Sequence, residues 1–340
     1  MSSRIRGWRR VLTVAAAGLL TLTTAAACGS DDSSDTSTVS TGSGASAAAF
    51  PVTIEHKFGS TTIDKKPERV VTVGWNDQDP AIALGVVPVS TREWFTEYPA
   101  YPWVQTALGG KQVPTFSAEI NFEAIIKQQP DLIIAIYETI NKETYDKLSQ
   151  IAPTVIQSKD FGDEETPWDV QTRTIGKALG KTPEAEALIN KVQAKIDDAK
   201  AANPQFAGKT LVVDFGPEKG QHWLLGAKDP RRALFDALGF SVQNEKDDVS
   251  EERLDLLDRD VLFVNGATKK DMAASPAFAR LKVVTEDRTL YTSFDTPLSG
   301  ALAYSGPNAL LYALDILVPQ LKAATDNDPA TKVEDLSNQS

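Results

Sequence analysis

Residues 182–202 read TPEAEALINKVQAKIDDAKAA. Ala185, Leu188, Ile189, Val192, Ile196 and Ala199 recur at helical spacing, while Lys191, Lys195 and Asp198 fall off that stripe. Thr182 is placed as an N-cap, with Pro183 at the first helical position. Asn203-Pro204 stops the run, because proline disfavours a helical residue before it. A helix of 21 residues rises about 30 Å. That length suits a rigid strut between two halves, and on pattern alone it suits an ordinary surface helix equally.

On both sides of this segment short apolar runs alternate with helical stretches. That pattern predicts α/β lobes with central, mainly parallel sheets flanked by helices. Before it, residues 50–63 read as a small β-hairpin. Strands are predicted at 70–73, 86–89, 131–136 and 154–156, with a helix at 77–84. After it, strands are predicted at 211–213 and 261–264, and helices at 233–238 and 309–317. The halves share a gap-free echo at an offset of 129 residues: Asn121-Phe-Glu123-Ala-Ile125 with Asp131-Leu-Ile-Ile134, and Ser250-Glu-Glu252-Arg-Leu254 with Asp260-Val-Leu-Phe263. Each copy is a capping residue, Glu two later, an apolar residue, Asp, then a buried strand, which makes a duplicated lobe plausible.

The N-terminus is a targeting segment. Arg4, Arg6, Arg9 and Arg10 precede the apolar run Val11–Leu22, and Ala25-Ala26-Ala27 lead into Cys28. That order is a secretion signal, too short for a mature membrane span. Arg9-Arg10 leaves general and twin-arginine export both open. Cys28 is the sole cysteine of 340 residues, so it forms no internal disulfide. Its place after small residues marks it for cleavage and acylation, although Ala25 stands where leucine is usual in a lipobox. Residues 29–49 are Ser, Thr, Gly, Ala and Asp, a flexible tether with a span of roughly 25 Å. Loss of the four leader arginines takes the formal net charge from −11 to −15, and without a basic run nucleic-acid binding is not expected. The organisation is thus 1–27 signal, 28–49 tether, 50–181 N-terminal lobe, 182–203 inter-lobe helix, 204–325 C-terminal lobe and 326–340 a polar, frayed tail.

Catalytic signatures are scarce. His56 falls in the leading hairpin and His222 in a polar loop, neither with a spaced His or Cys partner, so no metal cluster is expected. No glycine-rich phosphate loop follows a strand, and no G-x-S-x-G elbow is present. Aromatic and arginine residues do cluster at strand ends and in loops: Trp75, Arg92, Trp94, Trp103 and Tyr137 in the first half, Phe215, Trp223, Arg231, Phe294 and Tyr304 in the second. Ligands of open α/β sheets bind beyond the carboxyl ends of strands. Singly, each residue is as readily explained by loop packing. As a set on one cleft they suit a flat, anionic ligand, held by arginine bonds and ring stacking.

The segments RVVTVGWNDQDPAIALGVVPV, NFEAIIKQQPDLIIAIY, YDKLSQIAPTV, PWDVQTRTIGKALGK, DPRRALFDALGF, SEERLDLLDRDVLFV and PLSGALAYSGPNALLYALDIL resemble the solute-binding proteins of iron–siderophore, haem and cobalamin importers. The likeness spans about residues 50–320. It implies two α/β lobes joined by one long helix, with a ligand cleft between them. It also implies a non-enzymatic, monomeric protein, lipid-anchored outside the cell membrane, that captures a ferric siderophore for an ABC permease and its ATPase. No protein cofactor is implied, because the ligand brings its own Fe(III). By motif, Glu123 and Glu252 are the carboxylates that meet permease arginines. Each also lies in the first turn of an expected helix, where the dipole favours it. Of the pair Arg231-Arg232, Arg231 matches better. The alternatives are a haem or cobalamin binder, with His222 or Tyr137 as an axial haem ligand, and a secreted hydrolase.

Overall fold

Two five-stranded sheets carry the two halves. The computed structural model describes residues 50–340 apart from 219, 228, 244–246, 329, 339 and 340. The signal segment, Cys28 and the tether lie outside the described residues. The leading hairpin pairs β1 (Val52–His56) with β2 (Gly59–Ile63), Val52 facing Ile63. Alternate residues Val52, Ile54 and His56 turn inward, the period of a half-buried strand.

The first sheet holds β3 (Val70–Thr72), β4 (Ser90–Arg92), β5 (Thr115–Phe116), β6 (Leu132–Ala135) and β7 (Thr154–Ile156) in the order β5-β4-β3-β6-β7. Every pairing is parallel. The strands β3, β6 and β7 are buried throughout, as expected of a parallel sheet covered on both faces. The strand expected at 86–89 lies at Ser90–Arg92 instead. Pro88 has no N–H for a ladder, whereas Thr91 pairs with Thr72 and Thr115 in the sheet, and its hydroxyl accepts from Thr72 Oγ1 at 2.7 Å.

The second sheet holds β8 (Leu211–Glu218), β9 (Gln221–Leu224), β10 (Asp247–Ser250), β11 (Val261–Asn265) and β12 (Thr289–Thr292) in the order β10-β9-β8-β11-β12. β8, β11 and β12 are parallel, while β9 and β10 add antiparallel edges. His222 therefore lies in a strand, not in a polar loop. Gln221 and Trp223 face out, and His222 and Leu224 face in. A buried histidine at an inward position hid the alternation.

The echo has a structural counterpart. Asp131 accepts from the Arg69 N–H at 2.8 Å, and Asp260 accepts from the Thr210 N–H at 2.8 Å. Each aspartate precedes the strand beside the central one, β6 or β11, and ties it to the start of the central strand, β3 or β8. The capping half of the echo is not shared: Asn121 caps Phe122–Lys127 through Ala124 N–H, but Ser250 ends β10 and makes no side-chain cap to the 3₁₀ turn Glu251–Leu256.

The helix Thr182–Ala202 joins the halves. Lys181, not Thr182, is its N-cap, and no side chain caps it. Its stripe divides between two cores. Ala185 and Leu188 pack with Val70, Leu132 and Ile175 of the first half. Val192, Ile196 and Ala199 pack with Leu211, Phe235 and Phe263 of the second. Burial of each such Val, Ile or Leu stabilises by about 1.5–3 kcal/mol. Gly176 permits the close approach of the preceding helix, since a Cβ there would sit 2.4 Å from that of Ala185. The joint is broader than one strut. Tyr98, Tyr101, Trp103 and Leu108 of the first half share the second-half core with Leu310, Leu314 and Leu317, because the helix Pro307–Ala323 returns beside the strut. The tail expected to fray is held at one point: Asp335 bridges to Tyr291 and Leu336 is fully buried.

Candidate functional site

In the first sheet the chain order reverses between β3 and β6, and a crevice opens at their carboxyl ends. Trp75 lies three residues past β3 and Tyr137 two past β6, and the Trp75 N–H donates to the Tyr137 carbonyl at 3.0 Å. One fully buried carboxylate fixes both strand ends. Asp77 accepts from the backbone N–H of Gly74 (3.1 Å), Ile136 (2.8 Å) and Tyr137 (3.2 Å), and from Gln171 Nε2 (2.6 Å). Burial pushes its pKa up, and those four donors oppose the shift. Arg92, the last residue of β4, lays its guanidinium 3.4 Å from the Trp75 ring centroid. It is bonded to the Glu138 carboxylate and the Ala118 carbonyl. Burial pulls its pKa down to about 10, so it stays charged at neutral pH. Trp94 adds a second ring, 5.9 Å from that of Trp75.

The second sheet reverses between β8 and β11, and its ligand wall grows from the same ends. The Phe215 ring lies 5.2 Å from Trp223 and stacks 5.8 Å from Phe294. Trp223 is 40% exposed and Phe294 45%, unusual for rings this large unless something is to cover them. The Arg231 guanidinium rests 5.1 Å from Phe215 and 4.8 Å from Trp223. It donates to both oxygens of Asp229, at 2.8 and 2.5 Å. Burial disfavours its charge, but Asp229, with Tyr137 and Glu164, more than offsets this and raises its pKa. Gly266 has φ +123, and a Cβ there would lie 2.4 Å from the Phe294 ring. Only glycine lets that ring lie against the backbone.

These two walls border adjoining chambers of about 800 and 870 Å³ that share Trp94, Trp223 and Arg231. The first is floored by Phe215, Phe263 and Phe294, with Asn265, whose Oδ1 is buried without a partner. The second runs past Trp75 and Tyr137 to Asp163, Glu164, Glu165 and Asp229. Either volume lies in the upper part of the range for small-molecule sites, about 300–1,000 Å³.

The structure brings Trp75, Trp94, Tyr137, Trp223, Arg231 and Phe294 to this cleft, with Arg92 beneath Trp75. Two expected residues lie elsewhere. Trp103 is in the helix Pro102–Leu108, stacked on Tyr101 at 4.8 Å, and its Nε1 donates to Asp79 at 2.8 Å. Tyr304 is 1% exposed and packs on Tyr98 at 4.2 Å, and its hydroxyl accepts from Phe95 N–H. Tyr304 supports the wall from behind, its ring 5.4 Å from that of Trp94. Arg232 is fully buried against Asp236 and the Leu211 carbonyl, leaving Arg231 on the cleft. His222 sits 2.7 Å from Asp214 and lines neither chamber. Glu123 and Glu252 are both exposed. Sequence reasoning missed Phe95, Asn265 and the acidic run 163–165. Phe95 adjoins Trp94 and Asn265 ends β11, which are positional signals. The acidic run reads as a solvated loop. Among the described residues, no group of three or more His, Cys, Asp or Glu is placed to hold a metal ion, and no helix is long and apolar enough to cross a membrane.

A family model described as "Periplasmic binding protein" matches residues 70–296. The Fe(3+)-citrate-binding protein YfmC of Bacillus subtilis is 30% identical over 265 residues, 75% of this chain and 82% of that one. A periplasmic solute-binding protein from Mycobacterium smegmatis superposes with a TM-score of 0.75 at 32% identity, over 81% of this chain and 98% of that one. PiaA from Streptococcus pneumoniae in complex with ferrichrome gives 0.70 at 26% identity, over 81% and 99%.

Proposed function

The chain belongs to the periplasmic binding protein family, whose members bind solutes rather than catalyse, and from that premise we propose that it captures a ferric siderophore outside the cell and delivers it to an ABC permease. The observation that carries this reading is the convergence of both sheets' carboxyl ends on one aromatic cleft. Trp75 and Trp94 approach from one half and Phe215, Trp223 and Phe294 from the other. Such rings grip the organic shell of a chelate, whose metal is already enclosed. Removal of the exposed ring area from water is the main driving force.

The joint sets how far the lobes close. A strut packed on both cores, with a second helix beside it, restricts motion to a small rocking of the walls. Glu123 and Glu252, exposed on separate halves, supply the two carboxylates that meet permease arginines. Cys28 carries the lipid that anchors a monomer to the outer face of the membrane, with residues 29–49 as its tether. A haem reading has less support, because His222 is held by Asp214 behind the cleft.

The test is tryptophan fluorescence during titration with ferric chelates. Saturable quenching by at least one ferric siderophore, with none from a bare ferric salt, is expected. Tight binding of bare ferric ion with no response to any chelate would reverse the assignment.

A further inference from the structure

The relatives leave ligand charge open, since one binds ferric citrate, an anion, and another holds ferrichrome, a neutral chelate. The cleft itself is less ambiguous. Both of its described arginines already have a counter-charge: Arg92 on Glu138, with side chains 8% and 10% exposed, and Arg231 on both oxygens of Asp229. An anionic ligand would have to displace a carboxylate that the fold holds in place. Asp163 is likewise matched, by Lys57 at 2.5 Å. Glu164 and Glu165 line the same chamber and face no described ion-pair partner. Glu164 lines that chamber with Trp75, Tyr137, Trp223 and Arg231, residues of both walls, and accepts from the Thr139 hydroxyl at 3.3 Å. In the other chamber the buried polar atom left without a partner is an acceptor, Asn265 Oδ1. The described cleft thus presents excess negative charge and an unused acceptor, and lacks an unpaired cation.

Resting on the ferric-siderophore reading, we propose that the ligand is a neutral or cationic ferric chelate, of the trihydroxamate class, and that Glu164 and Glu165 select against anionic citrate and catecholate chelates. A hydroxamate gives up one proton per bidentate arm, so three arms neutralise Fe(III), and any pendant amine makes the complex a cation. Carboxylate and catecholate complexes retain surplus negative charge, which the two glutamates repel at close range.

The experiment is a titration of the full chain with four chelates: a ferric trihydroxamate bearing a free amine, the same ligand acetylated on that amine, ferric dicitrate and a ferric tris-catecholate. The trihydroxamates are expected to bind at least about 100-fold tighter than either anion, as for a site that discriminates by charge as well as shape. The Glu164→Gln/Glu165→Gln variant is expected to weaken the amine-bearing chelate by about 3- to 30-fold relative to its acetylated form, and raised salt to do the same in wild type. Tighter binding of dicitrate or the catecholate overturns this inference and leaves siderophore capture standing. Equal loss of both trihydroxamates in the variant removes the two glutamates as the charge selector. Failure of all four chelates to bind removes the ferric-siderophore reading, and this inference with it.

Discussion

Asp79 offers a quantitative test of how the first half is joined to the C-terminal helix. It is 2% exposed, accepts from Trp103 Nε1 at 2.8 Å and from the Tyr98 hydroxyl at 3.1 Å, and has its other oxygen against Gly306, the N-cap of Pro307–Ala323. Burial raises its pKa from 3.8 to about 6, despite these donors. A carboxyl whose folded pKa is raised binds its proton more tightly when folded. Its contribution to stability is therefore greatest at low pH and is lost as pH rises through about 6. Linkage puts the full loss at about 3 kcal/mol, and the change between pH 8 and pH 5 at about 1.4 kcal/mol. The measurement is urea unfolding of wild type and Asp79→Asn at both pH values, followed by far-UV circular dichroism. Because other carboxylates titrate in both proteins, the informative quantity is the difference between them. Wild-type stability minus variant stability should grow by about 1.4 kcal/mol on going from pH 8 to pH 5. A difference independent of pH would show that Asp79 keeps an ordinary pKa, and that Trp103, Tyr98 and Gly306 solvate its charge fully.

Trp223→Ala should cost about 1–3 kcal/mol of ligand affinity and little stability, whereas Trp103→Ala should cost about 3–5 kcal/mol of stability; calorimetric titration beside thermal melts separates the two. The double variant Glu123→Lys/Glu252→Lys should bind ligand normally but support poor uptake of labelled chelate in a deletion strain, since like charges would meet at a desolvating interface. Uptake at the wild-type level would leave these glutamates to their helix termini alone, a role worth about 0.3–1 kcal/mol. Cys28→Ala should appear in the medium or persist as precursor, and membrane fractionation reads the outcome.

Much of the fold was legible because its signals are local. The stripe from Ala185 to Ala199 has helical period and is packed as read. The runs at β3, β6, β7 and β11 are short, apolar and buried on both faces. What failed depended on polar partners that the hydrophobic pattern does not reveal. β4 is built from Ser90, Thr91 and Arg92, and only Thr72, Ala118 and Glu138 make those polar side chains fit a buried strand. β9 was hidden by His222, whose inward position makes sense only beside Asp214. The site divides the same way. Rings next to strand ends reached the cleft. Trp103 and Tyr304, of the same residue types, were drawn instead into the joint by Asp79 and by the returning C-terminal helix.

Beneath each aromatic wall lies a fully buried aspartate. Asp77 holds the ends of β3 and β6, and so sets Trp75 against Tyr137. Asp214 sits in β8 next to Phe215, binds the Gly216 N–H at 3.1 Å and holds His222, the neighbour of Trp223. Burial raises the pKa of both carboxyls. Neither touches the ligand space, yet each fixes backbone that carries a ring into it. Arg92 and Arg231 act alike, each clamped by a carboxylate while lying against rings of its own wall. The cleft is thus built before any ligand arrives, and a wall already fixed loses little conformational entropy on binding. The lobes need not reorganise to create the site, which agrees with a joint whose core is continuous from Tyr98 to Leu317. Selectivity must then come from what the fixed walls present, rings above and the carboxylates of Glu164 and Glu165 at one side, more than from what closure assembles.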